Sequence, residues 1–372
     1  MTVAKVKLGE AADILSGYAF KSELFSDSEG MPLIRIRDVV RGFTETRYSG
    51  EFGDEFVVQN GEIVIGMDGN FNAAKWSGGP ALLNQRVCKI KARESVLNEN
   101  YLFHYLPNAL KKIEDATPFV TVKHLSVKGI REIEIPIPPL SEQIRIAAIL
   151  DKADVLRIKR REALAQLDNL AHSIFIEMFG DPATNPKGWP YKSLIGLGKV
   201  VTGGTPPSSK SGMFDGPIPF VTPGDLESDE PVKRSLTSEG AKESRTVRAG
   251  ATLVCCIGAT IGKMGIAQVQ SAFNQQLNAV EWSGEINDLY GYAVLRFFKP
   301  TIKIWGASTT LPILKKSSFE KIEIPVPPLT LQRAFAQRVN AAEKLRMMHR
   351  SSLIELDELF ASLQKRAFKG EL

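Results

Sequence analysis

Two long stretches of the chain place apolar residues alternately three and four positions apart. After Ser141 the run is Ile146, Ile149, Ala153, Leu156, Ala163, Leu167, Leu170 and Ile174, interrupted by Arg160. After Thr330 it is Phe335, Val339, Ala342, Leu345, Ser352, Leu356, Leu359 and Leu363, with His349 at the place of Arg160. Such a heptad pattern predicts a coiled-coil seam on each of two helices of about 38–40 residues, roughly 58 Å long at about 1.5 Å per residue. Pro136-Ile137-Pro138-Pro139 and Pro325-Val326-Pro327-Pro328 precede these helices. Both must be extended, because proline fixes φ and has no amide donor. Ser141 and Thr330 then stand where a helix N-cap is expected. Elsewhere the apolar runs are short and bounded by Gly, Asn, Asp and Pro, which predicts strands near Leu33–Ile36, Ile63–Ile65, Arg86–Ile90, Leu253–Ile257 and Lys263–Val269. Asn100–Ile113 and Asp288–Ile304 read as helices.

The two periodic stretches are copies of one another. Ile133-Glu134-Ile135-Pro136-Ile137-Pro138-Pro139-Leu140-Ser141 returns about 189 residues later as Ile322-Glu323-Ile324-Pro325-Val326-Pro327-Pro328-Leu329-Thr330, a period too long for a solenoid. Carried on to Phe179 and Phe368, about 19 of roughly 47 positions are identical. A fainter echo pairs Gly17 with Gly203, Gly61 with Gly250, Gly69 with Gly258, Asn84-Gln85 with Asn274-Gln275 and Tyr101 with Tyr290. Between these anchors the residues differ, as Arg35-Ile36-Arg37-Asp38 does from Thr222-Pro223-Gly224-Asp225. The expected fold class is α+β: two mixed α/β halves and two long antiparallel coiled-coil helices, with an internal pseudo-two-fold repeat. The segments are 1–139, 140–180, 181–328 and 329–372. Helix pairing in antiparallel follows from connectivity, since no spare chain exists for a long return, and it puts one half at each end of a helical spacer. A two-fold object suits a two-fold partner such as duplex DNA.

Composition narrows the class without naming a chemistry. With 43% hydrophobic and 24% charged residues the chain resembles ordinary soluble proteins, and it has no apolar run long enough to span a bilayer. Cys88, Cys255 and Cys256 fit neither a zinc spacing nor a disulfide framework, which points to a cytoplasmic setting and no metal. The net charge of +5 permits nucleic-acid binding without demanding it. Gly258-Ala259-Thr260-Ile261-Gly262-Lys263-Met264 is one residue short of a phosphate loop and lacks its Ser or Thr. His104, His124, His172 and His349 have no ligand spacing.

Candidate DNA contacts are therefore basic and amide side chains. Arg35, Arg37 and Arg41 alternate on a strand and its exit, where arginine can grip phosphate or guanine O6 and N7; the bland alternative is a solvated charged face. Lys21, Lys75 and Arg86 are of the same kind. In the second half Thr205, Ser208 and Lys210 lie in a loop of small residues able to approach a backbone phosphate, and Lys263 sits at a turn. Gln276 can pair with adenine through its amide, whereas Asn84 and Asn274, shared by both halves, read as structural.

These residues together resemble the specificity subunits of type I restriction–modification systems. The resemblance covers the whole chain: the duplicated Ile-Pro-x-Pro-Pro-Leu segment with its helix, the join Met178-Phe179-Gly180-Asp181-Pro182 with Asn185-Pro186-Lys187-Gly188-Trp189, and the entries Ser16–Ser22 and Thr202–Pro206. One departure is visible, Ser141-Glu142-Gln143 against Thr330-Leu331-Gln332, where the lost Glu removes a possible capping interaction. The resemblance implies two target recognition domains, each reading half of a split sequence in double-stranded DNA, with the helices setting the unread gap. It also implies docking of two modification (methyltransferase) subunits that bind S-adenosylmethionine, which restriction (endonuclease) subunits can join. The chain itself would hold no cofactor and have no catalytic residues. No methyl-donor glycine loop or Asn-Pro-Pro-aromatic segment is present. A self-contained DNA-modifying enzyme and a coiled-coil scaffold are the alternatives.

Overall fold

A computed structural model describes residues 4–117, 123–207, 209–228, 230–306 and 312–372. The chain divides into two compact units, Met1–Glu162 with Arg350–Leu372, and Ala163–His349. Each contains one globular half and a part of both long helices, Leu140–Phe179 and Leu329–Ala367.

In the first unit four antiparallel strands lie in the order Ala12–Ser16, Val87–Ala92, Ile63–Gly66, Ala73–Lys75. Side chains alternate across a strand. Ile63, Ile65, Cys88 and Ile90 therefore pack with Tyr101, Leu102 and Leu106 of the helix Glu99–Ala116. Val64 and Val87 turn the other way, onto Ile34, Leu83 and Trp76. Burial on both faces explains why Ile63-Val64-Ile65 is a continuous apolar run. The covering layer is a five-stranded sheet, Phe25–Ser26, Arg47–Tyr48, Met31–Ile34, Ala81–Leu83, Val57–Val58, in which Met31–Ile34 and Ala81–Leu83 run parallel.

The second unit repeats this plan. Its sheet is Gly198–Thr202, Leu277–Trp282, Thr252–Cys255, Met264–Ile266, and its covering sheet pairs Phe214–Val221 in parallel with Ser271–Phe273. Leu253 and Val254 again face opposite cores. The expected helix Asp288–Ile304 is instead two helices, Asp288–Phe297 and Lys299–Gly306. Pro300 explains the break: its ring and missing amide suit a first helical turn and not an interior.

Two further expectations need correction. The strand near Leu33–Ile36 ends at Ile34, so Arg35 follows it, Arg37 lies in a turn and Arg41 ends a one-turn helix, Asp38–Arg41. The long helices begin at Leu140 and Leu329, so Ser141 and Thr330 lie inside the first turn and are not N-caps. All three cysteines are buried and free, and burial pushes the Cys88 and Cys256 thiols up to about 12. No described helix is long and apolar enough to cross a membrane.

Candidate functional site

Each long helix is joined to its globular half by a buried glutamine amide. Gln143 Oε1 accepts from the Asn98 amide (2.8 Å) and Nε2 donates to the carbonyls of Val96 (3.0 Å) and Pro138 (2.9 Å). Gln332 makes the same three bonds, to the Asn287 amide (2.8 Å) and the carbonyls of Glu285 (3.1 Å) and Pro327 (2.8 Å). Both side chains are fully buried. Asn98 and Asn287 are also N-caps, of the helices Glu99–Ala116 and Asp288–Phe297. The phenols of Tyr101 and Tyr290 donate to Pro136 O (3.0 Å) and Pro325 O (2.7 Å), and burial raises both above the usual phenol range. The proline carbonyls cannot all be spent on strand pairing, and these side chains satisfy them. Sequence reasoning passed over Gln143 and Gln332 and noticed the variable Glu142, which only pairs with Arg145 at 2.6 Å. Their identity across the repeat was the available signal.

Within each unit the two helices pack antiparallel. In the first, Ile146, Leu150 and Ala153 share a core with Phe360 and Ala367; in the second, Ile174, Phe175 and Phe179 share one with Phe335. The stripe that packs lies one residue from the predicted seam at alternate positions. Ile146, Leu167, Ile174, Phe335, Val339, Leu356 and Leu363 lie on it and Ile149 at its edge. Leu156, Leu170, Leu345 and Leu359 do not, being 54%, 36%, 44% and 50% exposed. Their inward neighbours are Arg157, Ala171, Arg346 and Phe360. Arg157 Nε lies 2.6 Å from Asp357 Oδ1, and its guanidinium stands 4.2 Å over the Phe360 ring. Arg346 Nε lies 2.9 Å from Asp168 Oδ1. Hydropathy could not show that arginines occupy a seam, because an arginine stem packs like an aliphatic chain once its head is paired. Arg157 and Arg346 are thus seam residues, not outward ones.

The basic candidates fall into several places. Arg35, Arg37 and Arg41 are exposed and gathered about the buried Asp38, whose Oδ2 accepts from the Arg35 amide (2.9 Å) while Oδ1 lies 3.7 Å from Arg37 and 3.8 Å from Arg41. Asp225 accepts from the Thr222 amide at 2.7 Å in the same way, so one carboxylate-closed turn carries different side chains in the two halves. Lys21 is exposed on the approach to that sheet. Lys75 is drawn onto the helix, bonding Asn100 at 2.7 Å. Arg86 pairs with Asp68 at 3.2 Å. In the second half Thr205 donates to Gln275 (2.5 Å) and Lys210 to Glu243 (2.6 Å). Lys263 is half-buried beside the hairpin turn after Thr252–Cys255, and Ser208 lies outside the described residues.

Asn84 and Asn274 close turns. Asn84 Oδ1 accepts from the Gln85 amide and Asn274 Oδ1 from that of Gln276. Their carbonyls press against Gly17 and Gly203, where a Cβ would come within 2.1 Å of either. These paired glycines let the two sheets of each half meet, which identifies the shared residues as frame. Among the described residues no group of His, Cys, Asp and Glu is arranged to hold a metal ion.

The chain is similar to known proteins over nearly its full length. It is 28% identical to the EcoBI specificity subunit of Escherichia coli over 99% of this chain and 86% of that one. It is 24% identical to a putative specificity subunit, MjaX, of Methanocaldococcus jannaschii over 80% and 74%. Its fold matches the S subunit of a type I restriction–modification system from M. genitalium with a TM-score of 0.64, covering 98% and 96% at 16% identity. A second structure, described for complex assembly and conformational transition of a type I system, matches with a TM-score of 0.61, covering 100% and 98% at 19% identity. The family model for the type I restriction modification DNA specificity domain matches twice, over residues 2–168 and 186–356, and the chain belongs to that family.

Proposed function

We propose that this chain is the DNA-reading component of a type I restriction–modification assembly. In this reading residues 1–139 and 181–328 each recognise half of a split duplex target, while 140–180 and 329–372 set the unread gap. The observation that carries it is one frame built twice with different side chains displayed on it: Arg35, Arg37 and Arg41 around Asp38 in one half, Thr222 at the matching Asp225 turn in the other. A scaffold has no use for such divergence.

The helices also supply docking surfaces for modification subunits. Leu156 and Ile158 project outward on the first helix, and Leu345 and Met347, their counterparts in the repeat, on the second. Two related apolar patches suit two copies of one partner. The methyl donor, S-adenosylmethionine, belongs on that partner, as do the catalytic groups; restriction subunits complete a nuclease. The test is a genome-wide map of methyladenine with and without this chain. Loss of one split methylated motif on deletion is expected, and a map in which every split motif persists overturns the proposal.

A further inference from the structure

The two halves display one side chain from the same backbone position with different chemistry. Arg86 and Gln276 both follow the Asn-Gln turn, and the Met67 and Cys256 amides donate to their carbonyls at 3.0 and 2.8 Å. The adjoining loop is pinned alike, Gly69 to Lys123 O and Gly258 to Pro312 O at 2.9 Å each, with both glycines at positive φ (70° and 93°). On this frame the first half bridges Asp68 to His124, where the second bridges Ile257 to Ile313. Asp68 Oδ1 lies 2.6 Å from His124 Nδ1, and Oδ2 lies 3.2 Å from Arg86 Nε. The carboxylate thus holds Arg86 by one edge and leaves its two terminal amines without another partner among the described residues. In the second half both bridge residues are uncharged isoleucines, and Gln276 Oε1 accepts from Asn274 Nδ2 at 3.1 Å, keeping a second lone pair and its own amide hydrogens.

We propose that Arg86 and Gln276 are equivalent base-reading positions, Arg86 for a guanine in one half-site and Gln276 for an adenine in the other. Asp68 and His124 act as positioning residues for Arg86. The inference rests on the DNA-reading function proposed above. A guanidinium held through Nε presents two parallel donors, the pattern that guanine O6 and N7 accept, and a carboxamide matches adenine N6 and N7. A phosphate contact is disfavoured at Arg86 because the neighbouring Asp68 carboxylate repels a phosphate, whereas a guanine edge carries no charge.

The experiment uses the full chain assembled with its modification subunits and selects bound duplexes from a randomised library. The native assembly is expected to select a split motif. Arg86→Gln combined with Asp68→Ile and His124→Ile should convert one position of the first half-site from G to A, leaving the gap and the second half-site unchanged. The preference at that position should shift by about 10- to 100-fold. Asp68→Asn should weaken the preference for G at that position alone, which a general loss of folding would not do. Gln276→Arg alters one position of the second half-site and decides the question independently should the triple variant fail to assemble. An unchanged motif, or uniform weakening across all sequences, overturns the proposal. A native assembly that selects no split motif instead overturns the function on which it rests.

Discussion

At the scale of the residue, the joint between reader and helix depends on two amides. Each glutamine satisfies one backbone donor and two carbonyls, one of them in the proline segment and the other just before the N-cap of the reader's helix. Truncating Gln143 or Gln332 to alanine should cost about 2–4 kcal/mol, because several buried polar groups lose their partners at once. Denaturant melts of the two single variants check this, and similar losses for both are expected from the matched geometry. Little of this was legible beforehand, since a glutamine inside an otherwise polar first turn gives no hydropathy signal. The basic candidates were recognisable by type, but not by partner. Nothing local in the sequence ties Arg86 to Asp68 or Lys75 to Asn100.

At the scale of the element, the sequence showed two long helices with a heptad seam and misplaced alternate seam positions by one residue. Both registers alternate threes and fours; leucines at 156 and 345 favoured one, and the paired arginines at 157 and 346 decided for the other. The distinction is testable. Leu156→Glu together with Leu345→Glu should leave the stability of the isolated chain within about 0.5 kcal/mol, as expected of exposed positions, while weakening capture of the modification subunit. A loss of several kcal/mol would return those leucines to the seam. Inserting seven residues after Ala165 and seven after Ile354, which are equivalent in the repeat, keeps the seam in phase and adds about 10 Å. At about 3.4 Å per base pair, the methylated motif should keep its two half-sequences and gain about three pairs of gap. Sequencing of methylated sites reads this directly, and altered half-sequences with an unchanged gap would reverse the roles of helix and reader.

At the scale of the whole molecule, the ion pairs Arg157–Asp357 and Arg346–Asp168 are one contact written twice, because each residue of one pair corresponds to the same residue type in the other. The first long helix therefore carries both partners, Arg157 and Asp168. Two copies of residues 1–180 can pair through that helix and form the bridge twice. Such a dimer should direct methylation to an inverted repeat of the first half-site, which is checked by expressing the fragment with the modification subunit and sequencing the sites. It should be less stable than the full chain. Ala171 and Phe175 would replace Phe360 and Gln364, and Gln364 now donates to His104 O at 3.0 Å. A motif still containing the second half-site would exclude this symmetry. The duplication itself was plain in the sequence, while the ion pairs that make it physically reciprocal required the fold.

The glutamine joint has a consequence for inheritance. Most of what each amide and tyrosine grips is main chain: the carbonyls of Val96, Pro136 and Pro138, the amide of Asn98, and their counterparts in the second half. A socket lined by peptide groups does not register which side chains a reader displays elsewhere. A reading half of the same fold, spliced at the proline segment, would meet the same carbonyls, and its own helix would then need side chains that suit Asp151, which here bonds Asn100 and His104. On the proposed function, exchange of a whole reading half at that segment is therefore expected to change the target in one step, where gradual change of a reading surface would pass through intermediates that read nothing.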